Sequence, residues 1–188
     1  LTFNMITVDG DTSTNDMVVV MASGLAHDEP LNPAHPDWDA FAEAFRFVAE
    51  YLAKAIARDG EGATKLVEVN VRGAVSVESA RVIAKTVAGS SLVKSAVFGA
   101  DANWGRIIAA AGRAGQPINP ETVDIRLGDI AVLEQSRPVP FDEEQALEYL
   151  KGSTVQIHLD LHLGTGAATA WGCDLTYDYV RINAAYRT

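Results

Sequence analysis

The residue of this chain best placed to meet a ligand is Glu61, which has a glycine on each side in Asp59-Gly60-Glu61-Gly62. Neither neighbour carries a side chain, so the backbone can approach a bound molecule closely and the carboxylate stands clear. A carboxylate presented in this way pairs with a substrate ammonium through charge-assisted hydrogen bonds. The plainer reading is a loop acid facing water, where most glutamates sit. A second polar stretch runs Asp9-Gly10-Asp11-Thr12-Ser13-Thr14-Asn15-Asp16. Its carboxylates and hydroxyls could rim a site, although turn chemistry explains every residue type in it. It does not fit a calcium loop, because the required glycine falls on Thr14 and the terminal glutamate on Val20.

Three further patterns invite chemistry. His158, Asp160 and His162 alternate along one segment, and His-x-Asp-x-His on one strand face could hold zinc. Period-2 polarity is also what the solvent face of any half-buried strand shows, and that reading is preferred. Gly99-Ala100-Asp101-Ala102-Asn103-Trp104-Gly105-Arg106 precedes a small-residue helix and has the form of an anion-binding helix start, or of a simple capped one. Cys173, the single cysteine, lies between Trp171 and Leu175 and reads as a buried, inert thiol.

These residues need elements to hold them. Residues 3–8 and 17–22 are short and rich in β-branched types, which predicts two buried strands around the polar stretch. Asp37 is placed to cap a long helix over residues 38–58. Phe41, Phe45, Val48, Leu52 and Ile56 recur at helical spacing and predict its core face. Residues 66–72 alternate as a strand, 75–88 form a helix with Ser76 as cap, and 92–99 read as a strand. Together they make a βαβ-like unit. Residues 107–114 follow as a helix. The turn-rich 115–120 is the expected boundary between a main region, 1–114, and a smaller C-terminal subdomain, 115–188. Beyond it come a hairpin about Gly128-Asp129, a short helix capped by Asp142, and strands over 154–163, 167–175 and 177–182. The mixture is α+β, or mixed α/β.

Composition limits the rest. The 188 residues carry a net charge of −10, which argues against a nucleic-acid or anionic-membrane surface. Small cationic substrates remain open. A single cysteine excludes an internal disulfide framework and fits a reducing compartment such as the cytoplasm. No apolar run approaches membrane-spanning length.

Four segments taken together carry a resemblance. ITVDGDTSTND (6–16), DGEGATK (59–65), GADANWGR (99–106) and ATAWGCDLTYDYVRINAAYRT (168–188) resemble the ornithine acetyltransferase (glutamate N-acetyltransferase, ArgJ) family, specifically its C-terminal β chain. The resemblance runs the length of the chain. It implies an αββα layered fold of the DmpA/ArgJ kind, completed by a partner α chain, with an α2β2 assembly. It implies acetyl transfer from N-acetylornithine to glutamate in arginine biosynthesis, by a ping-pong cycle through an acetyl-threonine. No cofactor or metal is implied, and acetyl-CoA is a conceivable co-substrate.

The same resemblance assigns residues. Glu61 matches the family's substrate-binding glutamate. Asn183 and Thr188 match an asparagine and a threonine that contact substrate; by residue types alone, Asn183 is a turn residue. The family's nucleophile is a threonine exposed by self-cleavage, and its segment is not matched here. The expectation is therefore that no catalytic residue lies in this chain and that the nucleophile lies upstream of Leu1, with Thr2 structural. Two other classes stay open: an N-terminal-nucleophile aminopeptidase or amidase relative, and a non-catalytic structural half of the enzyme.

Overall fold

The computed structural model describes residues 2–26 and 29–185. Its organising strand is β1 (Leu66–Ala74), which pairs parallel with β5 (Thr154–Asp160) and antiparallel with β6 (Gly166–Cys173). With β2 (Asp124–Leu127), β3 (Ile130–Glu134) and the two-residue β4 (Arg137–Pro138), one sheet forms in the order β4-β3-β2-β5-β1-β6. It joins strands from both sides of the 115–120 connector. In the register, Val69 lies opposite Ile157 on one side and Ala170 on the other.

The alternation read in 66–72 sets the two faces of this sheet. Val67, Val69, Val71, Val155, Ile157 and Leu159 are buried, in one core with Ile83, Val87, Val93 and Ile107 from the helices. Those helices are α2 (Val77–Ala88), α3 (Ser91–Phe98) and α4 (Trp104–Gly112). The other face carries Glu68, Asn70, Gln156 and His158, and is only partly covered. Helix α1 (Trp38–Arg58) crosses toward this face, where its Lys54 lies 3.2 Å from the Glu68 carboxylate. Helix α5 (Glu143–Leu150) sends Leu150 into the core, and α6 (Tyr177–Ala185) ends the described chain.

Several local expectations hold. The Ser76 hydroxyl accepts from the Ser79 N–H and caps α2, and the Asp142 carboxylate accepts from the Glu144 and Gln145 N–H groups and caps α5. The hairpin turns at Gly128.

Others are corrected. The predicted core stripe of α1 faces outward: Phe41, Phe45, Val48, Leu52 and Ile56 are 46% to 54% exposed within this chain. The buried face is Ala49, Ala53 and Ala57, whose small side chains let the helix lie close to the sheet. Asp37 stands at the N-cap position, but its side chain makes no capping hydrogen bond. Residues 3–8 are not a strand. They form a 3₁₀ turn over Phe3–Met5, after which Ile6 makes one bridge to Trp171. Residues 17–22 have no regular structure, and Met17 and Met21 are 79% and 90% exposed. A β-branched run becomes a strand only where an open sheet edge is in reach, and this one finds none. Residues 92–99 fold as α3, and 177–182 as α6, because Ser90 and Thr176 cap them and their periodicity is too short to discriminate.

The sheet and the C-terminal helix meet at one buried carboxylate. Asp174, 3% exposed, directly follows β6. It accepts from the Thr64 N–H at 2.8 Å, the Lys65 N–H at 2.9 Å and the Thr64 hydroxyl, just before β1 begins. Lys65 is buried too, and its ammonium donates to the Val97 carbonyl at 2.6 Å at the end of α3. Burial lowers the Lys65 pKa, and the Asp174 charge offsets part of that.

In the whole protein, Asp174→Ala should lower the unfolding free energy by about 3 kcal/mol. Two backbone N–H groups lose their acceptor, at about 1–3 kcal/mol each when buried and unpaired. The change is read as a lower urea midpoint at unchanged slope. A loss under about 0.5 kcal/mol, the range of an ordinary surface substitution, would remove this carboxylate from its structural role.

Candidate functional site

The loop that bears Glu61 is held at both ends. Behind it, Gly60 packs so tightly that a Cβ there would lie 2.9 Å from the Cys173 sulfur and 2.9 Å from a Val8 methyl. Ahead of it, Gly62 has a φ of +66°, the left-handed region that glycine adopts without strain. A Cβ on Gly62 would also sit 2.7 Å from the Asp178 Cβ and 2.9 Å from the Tyr179 nitrogen. The two glycines therefore do what their types suggested. They permit close approach, but to the chain's own C-terminal helix and first segment. Glu61 between them is exposed.

Helix α6 is seated on this loop. Thr176, buried, donates its hydroxyl to the Gly62 carbonyl at 2.7 Å and accepts the Tyr179 N–H at 3.3 Å. Tyr177 meets Phe98 edge to face at 5.6 Å. Tyr179 donates its phenol to the Asp9 carboxylate at 3.0 Å. Asn183, one turn on, is exposed and donates its amide to the Tyr179 carbonyl at 3.0 Å. Loop 59–65, the start of the 9–16 stretch and the helix bearing Asn183 thus converge. Thr188 lies outside the described residues.

The electrostatics are acidic. Burial raises the Tyr179 phenol from its ordinary 10.0 to about 12, helped by its bond to Asp9 and by the charges of Glu61 and Asp11. Asp9 is itself fixed, since its other oxygen accepts the Asp11 N–H at 3.0 Å. The Val8 carbonyl before it takes a hydrogen bond from the Lys94 ammonium, which is 2% exposed. Burial pushes the Cys173 thiol upward despite the neighbouring Lys94, as an inert thiol requires. The surface assembled here suits a cation.

The remaining candidates resolve plainly. Strand β5 ends at Asp160, and His162 beyond it has a φ of +53°. Its Nε2 lies 2.7 Å from the Asp124 carboxylate and its Nδ1 3.6 Å from that of Asp160, so His162 folds back beside the strand end and is not part of the strand. Among the described residues, no group of three or more His, Cys, Asp or Glu is arranged to hold a metal. At 99–106, the Asn103 side chain takes the Arg106 N–H at 3.1 Å, so the start of α4 is occupied by its own cap. Two cavities, of about 230 and 740 Å³, open on the polar sheet face and contain neither Glu61 nor Asn183. Several of their polar groups pair with one another. Glu68 accepts from Trp171 and Gln156 at 2.8 Å each, and Arg72 pairs with Asp160 at 2.7 Å.

The roles of Thr176, Tyr179 and Lys94 were not legible in the sequence. A threonine three residues before Tyr179 is a cap signal that could have moved 177–182 from strand to helix. Nothing local marks a tyrosine as the partner of an aspartate 170 positions away.

Comparison with known proteins places this geometry in context. A family model described as "ArgJ family" matches residues 1–188. An arginine biosynthesis bifunctional protein ArgJ of Geobacillus kaustophilus is 64% identical over 188 residues, which are 100% of this chain and 46% of that protein. The one from Halalkalibacterium halodurans is 62% identical, with the same coverage. The chain therefore spans about half the length of these relatives. A crystal structure of the arginine biosynthesis bifunctional protein ArgJ from Bacillus halodurans superposes with a TM-score of 0.96 at 61% identity. The match covers 98% of this chain and 87% of that one.

The raised phenol gives a titration to check. Because the folded pKa lies above the unfolded one, the stability it contributes is complete below about pH 10 and fades as the pH climbs toward about 12. An ultraviolet difference titration of the native protein against Tyr179→Phe should show one phenol ionising near 12. A transition near 10 would mean that the bond to Asp9 does not form in solution.

Proposed function

This chain belongs to the ArgJ family, and we propose that it is the β chain of a glutamate N-acetyltransferase that moves the acetyl group of N-acetylornithine to glutamate. The observation that carries this reading is the seating of α6 on the Glu61 loop through Gly62. A carboxylate suited to an ammonium and the helix bearing Asn183 then flank one acidic surface. On this reading Glu61 pairs with the substrate's charged nitrogen, and Asn183 and Thr188 hold the rest of the amino acid.

The chemistry comes from outside the residues of this chain. A threonine upstream of Leu1 attacks the acetyl carbonyl, its own α-amine taking the hydroxyl proton. The tetrahedral oxyanion is met by donors of the α chain. It collapses with release of ornithine, whose amine leaves with that proton, and the acetyl group stays as a threonine ester. The glutamate amine then attacks the ester and restores the free threonine. No cofactor enters. The word "bifunctional" in the relatives' descriptions fits a second acetyl donor, for which acetyl-CoA is the candidate.

Two facts support the partner chain. The solved ArgJ chain is covered to 87%, whereas the relatives' full length is covered to 46%, so that chain is itself far shorter than the whole protein. The half-exposed stripe of α1, with Phe47 and Tyr51 beside it, is an apolar surface of the kind a second chain covers. An αβ unit that pairs again, α2β2, follows from the same reading.

Two measurements test these statements. In the whole enzyme, Glu61→Ala should raise KM for N-acetylornithine about 10- to 100-fold with kcat little changed, as loss of a charge-assisted bond of about 1.5–3 kcal/mol requires. Unchanged kinetics would remove Glu61 from the site. Acetylglutamate should form from labelled N-acetylornithine only when glutamate is present. Release of free acetate instead would place the protein with the amidase relatives.

A further inference from the structure

Helix α6 has nine described residues, and none of them is buried within this chain. A helix of that length does not sustain itself in water, and one without a buried face gains little from packing. Its direction must therefore be set by a few discrete contacts. At its start stand Thr176 on Gly62 and Tyr177 on Phe98. Those, with Asp178 and Tyr179 packed on Gly62, hold the first turn on the side of the Glu61 loop. The contact that ties it to the N-terminal segment is Tyr179 to Asp9, a hydrogen bond of 3.0 Å between parts of the chain 170 residues apart.

Asp9 is a firm anchor for such a bond. The N–H of Thr7, two residues earlier, donates to the Trp171 carbonyl at 2.9 Å on the edge of β6. The Val8 carbonyl is held by the buried Lys94 ammonium, and one Asp9 oxygen is tied to the Asp11 N–H. Only the second oxygen is left to reach outward, and it takes the phenol. From Tyr179 the constraint passes to Asn183, whose amide donates to the Tyr179 carbonyl one turn later.

We propose that Asp9 and Tyr179 are positioning residues: together they strap the C-terminal helix to the core and so hold Asn183 in register with Glu61 for binding of the amino-acid substrate. This rests on the assignment of Glu61 and Asn183 to substrate binding made above. The strap touches no reacting atom. Its loss spreads the helix over many directions, so the competent arrangement is populated only part of the time and apparent affinity falls by that fraction.

The test is steady-state kinetics of the whole two-chain enzyme. Tyr179→Phe keeps the ring and removes the hydroxyl. It should raise KM for both N-acetylornithine and glutamate about fivefold, the scale of one hydrogen bond, with kcat within about twofold of native. Asp9→Ala should match it. Asp9→Asn, whose amide oxygen still accepts from the phenol, should recover most of the loss seen with Asp9→Ala. The double variant Asp9→Ala/Tyr179→Phe should be no worse than either single change, because both break the same bond. Native KM in Tyr179→Phe, a fall confined to kcat, or additive effects in the double variant would each overturn the strap. Glu61→Ala run alongside separates the two levels. If it raises KM while Tyr179→Phe does not, only the strap fails; if it too is native, the substrate-binding assignment beneath the strap fails.

Discussion

The Asp174 carboxylate is the constraint on which the rest of the structure depends. It sits in the interior, where a carboxyl group is tolerated only when its oxygens are supplied with donors. The donors are the backbone of residues 64 and 65 and the Thr64 hydroxyl. This one group therefore fixes the end of β6 against the beginning of β1. Four residues before Lys65 is Glu61, and two residues after Asp174 is Thr176. Both halves of the candidate site hang from the same junction at short range, which is how an exposed loop and an exposed helix come to keep a defined relation. Lys65 extends the junction to the end of α3, where its ammonium meets the Val97 and Phe98 carbonyls of the last turn.

Much of the scaffold was readable because its signals are local. The caps at Ser76 and Asp142, the turn at Gly128 and the alternation of β1 each follow from a side chain acting on its own neighbourhood. What was misread depends on what lies opposite. The stripe of α1 has the spacing of a core face, yet the sheet accepts the alanine side, because only small residues let the helix approach closely. The valines at 18–20 have strand character without an edge to join. Helices α3 and α6 are too short for their period to separate them from strands, and their hydroxyl caps carry the decision.

The site divides along the same line. Two glycines made Glu61 visible, though their reason is internal: the Gly62 position is crowded by Asp178 and Tyr179. Asn183 has no local signature and was singled out only by family resemblance. Asp9 belonged to a stretch that turn chemistry explained in full, and its long-range bond to Tyr179 appears only once the chain is folded. The zinc-like alternation of His158, Asp160 and His162 shows the reverse case, a regular pattern that the backbone interrupts after Asp160.

The outward stripe of α1 bears on how such a protein can be made. Oily side chains at this density would draw a free-floating half into clumps before it met a mate by diffusion. Were the cover the other half of a single translation product, as the proposed reading has it, that search would vanish. It would arrive tethered, in equal number and at high local concentration, and a later scission of the backbone would leave the joined pieces already in place.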